Sequence, residues 1–184
     1  MATLKSKNIT LEEFVILAKK NNSKIIQYRD KINDTKIQKE NLKYLKNNTN
    51  ILIIINDKIE LLKYCDGLHL GQEDLLELKN NKLKLKNDEL VFKFLKKMYP
   101  DKIYGLSTHN EIEILHANTL ELDYIGLGAY RNTSTKKVST VLGEKISYLA
   151  KMSKHKVAAI GGVKLDDNIK NIYYNVIGSD LYDN

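Results

Sequence analysis

Two short acidic motifs have the residue types and the placement to hold a divalent cation. Asp57 ends the stretch IIIND and Asp74 ends the stretch HLGQED. Two carboxylates at neighbouring strand ends could share Mg²⁺, which keeps several waters and bridges substrate phosphates. The pair therefore predicts a metal-assisted phosphate or pyrophosphate site. Each aspartate could instead close a turn or cap the next helix, which are common uses of Asp and Asn.

Cationic side chains that could bind such an anion occur in the same part of the chain. The stretch IIQYRDK places Gln27, Arg29 and Lys31 at alternate positions, which in a strand point to the same face. Among the 30 basic residues only Arg29 and Arg131 are arginine, the residue with a rigid bidentate fork. Donors for a phosphate or pyrophosphate are then available from Arg29, Lys31, Asn56 and Lys136.

Glycines suggest a second anion site near the C-terminal end of the chain. The stretches IGGV, residues 160–163, and IGS, residues 177–179, end two strand-like runs. Backbone amides at such positions often form a phosphate site in barrels. The sequence thus predicts one metal-assisted anion site and one built from backbone amides.

The hydropathy pattern predicts the scaffold that gathers these groups. Strand-like apolar runs alternate strictly with amphipathic segments, which implies a parallel sheet with helical crossovers. Thr10 and Glu13 have capping-box spacing ahead of a helix over residues 11–20, and Asn110 is a plausible cap. The last helix is expected over residues 166–173. No Gly-rich turn follows the first strands, so a dinucleotide fingerprint is absent.

Eight strands can be counted, although the first, in MATLKS, is short and polar. The predicted fold is α/β, a small TIM (β/α)8 barrel with a weak first strand and a final helix that is missing or vestigial. Polar residues follow five of the strands. In a barrel those strand ends meet on one face, where active sites lie.

Composition narrows the classes of protein to which the chain can belong. Its 184 residues fit one domain, 1–184, and no apolar run approaches the ~18 residues of a membrane-spanning helix. One cysteine, Cys65, permits no internal disulfide, which suits a reducing compartment and predicts a cytoplasmic location. The net charge of +7 is spread over nearly every segment without an aromatic-rich binding motif. We therefore expect no membrane and no nucleic-acid partner.

The motifs, taken together, resemble those of the thiamine-phosphate synthase family. The stretches QYRDK, IIINDK, DGLHLGQED, GLSTHN, DYIGLG, TSTKK and AIGGV occur in the family's order, over about residues 10–180. The resemblance implies a small TIM barrel that uses Mg²⁺ and small-molecule substrates. Such an enzyme joins hydroxymethylpyrimidine pyrophosphate to hydroxyethylthiazole phosphate, releasing pyrophosphate.

The resemblance also implies a role for each matching residue. Asp57 and Asp74 would be the metal ligands. Gln27 would face the pyrimidine and His69 would line the same pocket. Catalysis is assigned to Ser107, Lys136 and Arg29. The pyrophosphate would be held by Arg29, Lys31, Asn56 and Lys136, with Ser107 beside it. The thiazole phosphate would be bound by Thr133, Thr135, Gly162 and Ser179.

The chain also departs from the family pattern. A lysine-rich stretch around residues 75–90 looks like an insertion, and the weak first strand suggests an exposed seam that partner subunits could cover, which favours a homo-oligomer. A thiazole tautomerase is the alternative enzyme, but that branch places a His after the sixth strand, where this chain has Ala129. A non-catalytic barrel that binds a phosphorylated ligand is the other alternative.

Overall fold

The computed structural model describes the backbone of residues 2–4 and all of residues 9–132 and 141–182. The strands are β1 Ala2–Leu4, β2 Ile25–Tyr28, β3 Leu52–Asn56, β4 Gly67–Leu70, β5 Ile103–Thr108, β6 Tyr124–Gly128, β7 Lys156–Val163 and β8 Tyr174–Ile177. The helices are α1 Leu11–Lys20, α2 Thr35–Asn48, α3 Gln72–Glu77, α4 Asp88–Met98, α5 Glu111–Ala117 and α6 Lys145–Ala150.

The eight strands run parallel, in chain order, and close into a barrel. The predicted TIM barrel is therefore confirmed, and so is the weak first strand. The three residues of β1 pair along β2, but only one pair, Ala2 with Ile177, joins β1 to β8. That pair closes the seam that we expected to be exposed. After β8 the described residues contain only a 3-10 turn, Ser179–Leu181, which matches a vestigial last helix.

Local signals in the sequence explain where several helices begin. Thr10 accepts a hydrogen bond from the Glu13 N–H and its own N–H donates to the Glu13 carboxylate, so the predicted capping box is formed. Asn110 caps α5 by accepting from the Glu113 N–H, also as predicted. The helix at residues 59–64 is a 3-10 helix rather than an α-helix.

The helix expected over residues 166–173 is wrong, because that segment forms turns. The Asp167 carboxylate accepts from the Lys164 N–H at 2.7 Å and binds Arg131. Asn171 has a φ of 64°, in the left-handed region. Short polar side chains that bond to nearby backbone compete with helix formation, and this segment is rich in them.

The lysine-rich stretch at residues 75–90 is mostly helical. It covers the end of α3, a π-helical turn at Leu78–Leu83 and the start of α4. Leu78 is buried, and Lys79 pairs with Asp88 at 2.9 Å, so the turn is fastened to α4. That the stretch is an insertion stays a prediction.

The hydrophobic core has two layers because neighbouring strand residues point to opposite sides of the sheet. The larger layer packs the helices against the outer face of the barrel. The smaller lies inside the barrel around Tyr124, Ala158 and Val176. Cys65 is 2% exposed, in the outer layer. Among the described residues, no helix is both long enough and apolar enough to cross a membrane.

Candidate functional site

The mouth of the barrel, at the carboxyl ends of the strands, holds the polar residues of β2 to β5. The turn after β2 is fixed by the carboxylate of Asp30, which accepts from the N–H groups of Ile32 and Asn33 at 2.9 and 3.0 Å. The buried hydroxyl of Tyr28 also donates to Asp30. Burial opposes ionisation of Asp30, but these hydrogen bonds outweigh it and lower its pKa. The turn holds Lys31 at the mouth, next to the end of β2.

Asp57 and Asp74 come together just beyond β3 and β4. Burial, and then the neighbouring Asp74 carboxylate within hydrogen-bond reach, raise the pKa of Asp57 to about 6. Asp57 also accepts from the Gly71 N–H at 3.4 Å. Neither aspartate caps a helix, since Gly71 occupies the cap of α3 and the 3-10 helix after β3 has no side-chain cap. The alternative reading of both as caps is therefore wrong.

A chain of amide hydrogen bonds leads from inside the barrel to this carboxylate pair. Gln27, 3% exposed, donates to Asn56 Oδ1 at 3.0 Å, and the Asn56 amide donates to Asp57. The backbone at Asp57 is itself unusual, with a φ of 67°. Its N–H donates to the His69 carbonyl at 2.9 Å. The position of the Asp57 carboxylate is thus set by both its side chain and its backbone.

One cleft of about 400 Å³ contains most of the charged residues of this region. The cleft brings together the predicted anion-binding and metal-binding groups on its inner wall, and further charged groups from the 3-10 helix and the π-helical turn on its outer wall. The predicted residues that line it are Arg29, Lys31, Asn56, Asp57 and Asp74. The cleft has the size and the charged donors to accept a pyrophosphate group.

His69 lies inside the barrel, directly below the mouth, and is 4% exposed. Its Nδ1 is 3.0 Å from the Tyr124 hydroxyl, and its Nε2 is 2.9 Å from Ser107 Oγ. The ring fits because β5 and β6 have glycines beside it: a Cβ on Gly105 would lie 2.7 Å from Nδ1. Burial lowers the pKa of His69 to about 4, so the imidazole is neutral at physiological pH.

Ser107 lies one step closer to the mouth than His69 and is half-buried. Its carbonyl accepts from the Gln72 side chain at 2.6 Å, which ties β5 to the start of α3. Ser107 is therefore held by His69 through its side chain and by Gln72 through its backbone.

The opposite side of the mouth, around β6 to β8, is built differently. Gly161 and Gly162 have φ values of 85° and 66°, and a Cβ on Gly162 would lie 2.7 Å from the Arg131 Cβ. Arg131 donates to the Gly162 carbonyl at 3.0 Å and makes two bonds to Asp167, at 2.6 and 2.8 Å. This rare arginine thus fastens the end of β6 to the end of β7.

Proteins of one known family resemble this chain over most of its length. A model of the thiamine monophosphate synthase family, TMP-TENI, matches residues 2–177. The chain belongs to the thiamine monophosphate synthase family. It is 35% identical over 154 residues to a thiamine-phosphate synthase of Persephonella marina, covering 80% of this chain and 65% of that one. It is 35% identical over 158 residues to one from Prochlorococcus marinus, covering 83% and 41%. The chain thus spans less than two thirds of either relative.

A solved structure shows the same family fold. The thiamine phosphate pyrophosphorylase from Pyrococcus furiosus superposes with a TM-score of 0.73 at 22% identity, covering 97% of this chain and 83% of that chain. The barrel fold of this chain is thus also the fold of a solved protein.

The structure gathers the sequence-predicted residues into two groups. One group, on the β2 to β5 side, consists of Gln27, Arg29, Lys31, Asn56, Asp57, His69, Asp74 and Ser107. Gly162 and the exposed Ser179 lie at the ends of β7 and β8. Thr133, Thr135 and Lys136 lie outside the described residues. The roles of all these residues stay predictions.

Three neighbouring side chains were missed by sequence reasoning. Tyr124 begins β6 and touches His69, Gln72 holds the Ser107 backbone, and Asp167 pairs with Arg131. The alternation in DYIGLG places Tyr124 on the same face as Gly126, inside the barrel, so its inward direction could have been predicted. Nothing in the sequence pairs Asp167, 36 residues downstream, with Arg131.

Proposed function

We propose that this protein is a thiamine-phosphate synthase, which joins hydroxymethylpyrimidine pyrophosphate to hydroxyethylthiazole phosphate and releases pyrophosphate. The observation that carries the proposal is the Asp57–Asp74 pair, which shares one cleft with Arg29, Lys31 and Asn56. Paired carboxylates beside cations suit a pyrophosphate that leaves as a complex with a divalent cation. The family membership of the chain supports the same activity.

Mg²⁺ is the proposed cofactor, with Asp57 and Asp74 as its ligands from the protein. The two carboxylates repel each other when both are ionised, and a cation between them removes that repulsion. No three His, Cys, Asp or Glu side chains gather in a metal-binding group within the described residues. Two carboxylates suffice for Mg²⁺, which completes its coordination with waters and substrate phosphates. When bound, the ion neutralises negative charge on the leaving pyrophosphate.

The residues of the cleft then stabilise the departure of pyrophosphate. Arg29 and Lys31 bind its oxygens from the end of β2, and Asn56 and Lys136 donate further hydrogen bonds. As the carbon–oxygen bond breaks, these donors compensate the charge that develops on the leaving group. Ser107 lies beside the reacting carbon. The pyrimidine methylene becomes a stabilised cation, and the thiazole nitrogen attacks it.

The remaining predicted residues align the two substrates. Gln27 faces the pyrimidine, and His69 lines the same pocket. The thiazole phosphate is held by Thr133, Thr135, Gly162 and Ser179. Alignment of two bound substrates converts a bimolecular step into an effectively unimolecular one, which supplies much of the rate enhancement.

The cellular setting forms part of the same proposal. Small molecules are the proposed partners, and the reaction takes place in the cytoplasm. The buried thiol of Cys65 is consistent with a reducing compartment. A homo-oligomer stays a prediction, although the seam that first suggested it is closed by β1.

A turnover assay tests the proposal. Purified protein is mixed with the pyrimidine pyrophosphate, the thiazole phosphate and Mg²⁺, and thiamine phosphate is detected by conversion to its fluorescent oxidised form. We expect product with Mg²⁺ and none after EDTA is added, with recovery when excess Mg²⁺ is restored. The matched control is Asp66→Asn, which alters an aspartate that pairs with Lys46 away from the cleft. Asparagine can still accept from the Ile53 N–H, as Asp66 does, so we expect turnover to be kept.

The other outcomes separate the alternatives. Folded protein that binds either phosphate without forming product would contradict the synthase and favour a non-catalytic barrel. Conversion of a thiazole carboxylate phosphate tautomer in place of coupling would favour the tautomerase. The presence of Ala129 where that branch places histidine makes this outcome the less expected one.

A further inference from the structure

Two hydrogen bonds link Tyr124, His69 and Ser107. Which residue donates in each of them depends on which ring nitrogen of His69 carries the proton. His69 is buried and both of its ring partners are hydroxyl groups, which favours the neutral imidazole. In that form one ring nitrogen donates a hydrogen bond and the other accepts one. Tyr124 is 3% exposed, and burial raises the pKa of its hydroxyl, which therefore keeps its proton. A buried hydroxyl requires an acceptor.

The only acceptor for the Tyr124 hydroxyl within the described residues is His69 Nδ1, at 3.0 Å. If Nδ1 carried the proton instead, the phenol O–H would be buried without a partner, which is unfavourable. The Tyr124 hydroxyl therefore donates to Nδ1, and the proton of the imidazole is on Nε2. Nε2–H in turn donates to Ser107 Oγ, 2.9 Å away.

The direction of these hydrogen bonds determines where the hydroxyl proton of Ser107 can point. Because its oxygen already accepts from His69, its own proton is directed elsewhere, and the described residues offer it no acceptor. Ser107 is half-buried near the carboxyl end of β5. The proposed function places the pyrophosphate of the substrate beside it. A serine in the opposite arrangement, with its proton on the histidine side, would resemble an activated nucleophile.

We propose that Tyr124 is a positioning residue that holds His69 as the Nε2–H tautomer, so that Ser107 presents its hydroxyl proton to an oxygen of the substrate's pyrophosphate. Ser107 then acts as a hydrogen-bond donor to the leaving group, and no proton passes to His69. The inference rests on the proposed function for the identity of the ligand. The tautomer of His69 is independent of it.

Nitrogen NMR of the ¹⁵N-histidine-labelled protein measures the tautomer directly. At pH 7.5 we expect the Nε2–H form of His69 to exceed the Nδ1–H form by at least about tenfold. The signal is assigned by its absence in His69→Asn. Tyr124→Phe removes the donor, and we expect that preference to fall. Tyr104→Phe is the matched control, because the Tyr104 hydroxyl is buried but lies 2.9 Å from the Tyr99 carbonyl, outside the barrel.

Kinetics test whether Tyr124 acts through Ser107. We expect Tyr124→Phe and Ser107→Ala each to lower kcat by roughly tenfold or more, and the double variant to be no slower than Ser107→Ala alone. A purely structural role of Tyr124 would make the two losses multiply. Tyr104→Phe is expected to keep kcat.

The outcomes distinguish this inference from the proposed function. A dominant Nδ1–H form in the wild-type protein overturns the inference whatever the activity. Multiplying kinetic losses also overturn it, since Tyr124 would then act independently of Ser107. If no thiamine phosphate forms, titration with inorganic pyrophosphate and Mg²⁺ replaces the kinetics. If Ser107→Ala binds pyrophosphate as tightly as the wild type, the donor role of Ser107 is overturned. If Ser107→Ala binds more weakly and the Nε2–H signal is present, the donor role is supported and only the synthase assignment is overturned.

Discussion

The two sides of the barrel mouth are built from different parts of the chain. On the β2 to β5 side, the polar groups at the mouth are side chains, and other side chains hold them: Gln27 supports Asn56, which supports Asp57. On the β6 to β8 side, the key features are backbone turns at Gly161 and Gly162, held by Arg131.

Under the proposed function, the two sides of the mouth would serve different substrates. Side-chain carboxylates and cations concentrate charge, which is what stabilises a leaving pyrophosphate. Backbone turns at glycines allow a close approach of main chain to a phosphate without adding charge. The first side is expected to control kcat, and the second to control the affinity for the thiazole phosphate.

The largest expected effect comes from removing one carboxylate of the first side. We expect Asp57→Asn or Asp74→Ala to lower kcat by roughly a thousandfold, because the metal loses a ligand and the leaving group loses charge stabilisation. Steady-state kinetics at saturating Mg²⁺ measures kcat for each variant. Either variant with wild-type kinetics would show that the metal assignment is wrong.

The same Asp57→Asn variant should be more stable than the wild type at high pH, although it loses activity. The pKa of Asp57 in the fold, about 6, lies above its usual value, so the fold is favoured when Asp57 is protonated, and this contribution is lost as pH rises through 6. In EDTA at pH 8 we expect the variant to be more stable by about 1 kcal/mol, after allowance for solvent screening. The difference in unfolding free energy between the variant and the wild type should disappear near pH 4. Urea unfolding across this range measures the difference, and a variant that is less stable at pH 8 would contradict the unfavourable burial of an ionised Asp57 beside Asp74.

Substitution of the two arginines is the sharpest test of whether the two sides of the mouth serve different substrates. We expect Arg29→Lys to lower kcat/KM for the pyrimidine pyrophosphate by roughly 10- to 100-fold, because its fork of donors is lost. Arg131→Lys should leave that value unchanged and raise KM for the thiazole phosphate instead. Equal effects of both substitutions on both substrates would remove the distinction between the two sides.

A substitution at Gly162 tests the β6 to β8 side of the mouth alone. With a φ of 66° and a Cβ that would lie 2.9 Å from the Asn132 carbonyl, Gly162→Ala is expected to destabilise the fold by about 1–3 kcal/mol. We also expect a roughly tenfold higher KM for the thiazole phosphate. Gly143→Ala is the matched control, since its φ is 52° but nothing lies within 4 Å of its Cβ. If the control had the same effect on KM, the glycine turn would have no special role.

The smallest effect is expected at Asp167. Its ion pair with Arg131 is bidentate, but Arg131 is 42% exposed, so Asp167→Asn should cost about 1 kcal/mol or less in unfolding free energy. We expect KM for the thiazole phosphate to rise by no more than about threefold, because the Arg131 bond to the Gly162 carbonyl remains. A larger change than that of Gly162→Ala would make the ion pair, and not the glycines, the main support of this side.

Most of the fold could be predicted because its signals are local. Apolar runs, the Thr10–Glu13 capping box and the Asn110 cap predict the strands and the first turns of helices from adjacent residues alone. The helix over residues 166–173 failed because its polar residues bond to partners that the sequence does not reveal. Asp167 pairs with Arg131, which lies 36 residues earlier in the chain and is brought near only by the tertiary fold.

The site could be predicted in part for the same reason. Strand-end motifs reveal Asp57 and Asp74, since all carboxyl ends of barrel strands face one side. The link from Tyr124 through His69 to Ser107 joins three different strands, and depends on the register of β4, β5 and β6. A sequence shows which residues face the interior but not which of them meet.

The left-handed backbone at Asp57 also constrains how this lineage can change over time. Among residues other than glycine, Asp and Asn adopt that conformation most readily, so most other side chains at this position would strain the backbone. Asparagine is the exception, because it keeps the backbone and relieves the charge repulsion while it removes a proposed metal ligand. For the proposed enzyme, the substitution that the fold tolerates best at this position is therefore also one that removes activity, so catalysis could be lost while the barrel is kept.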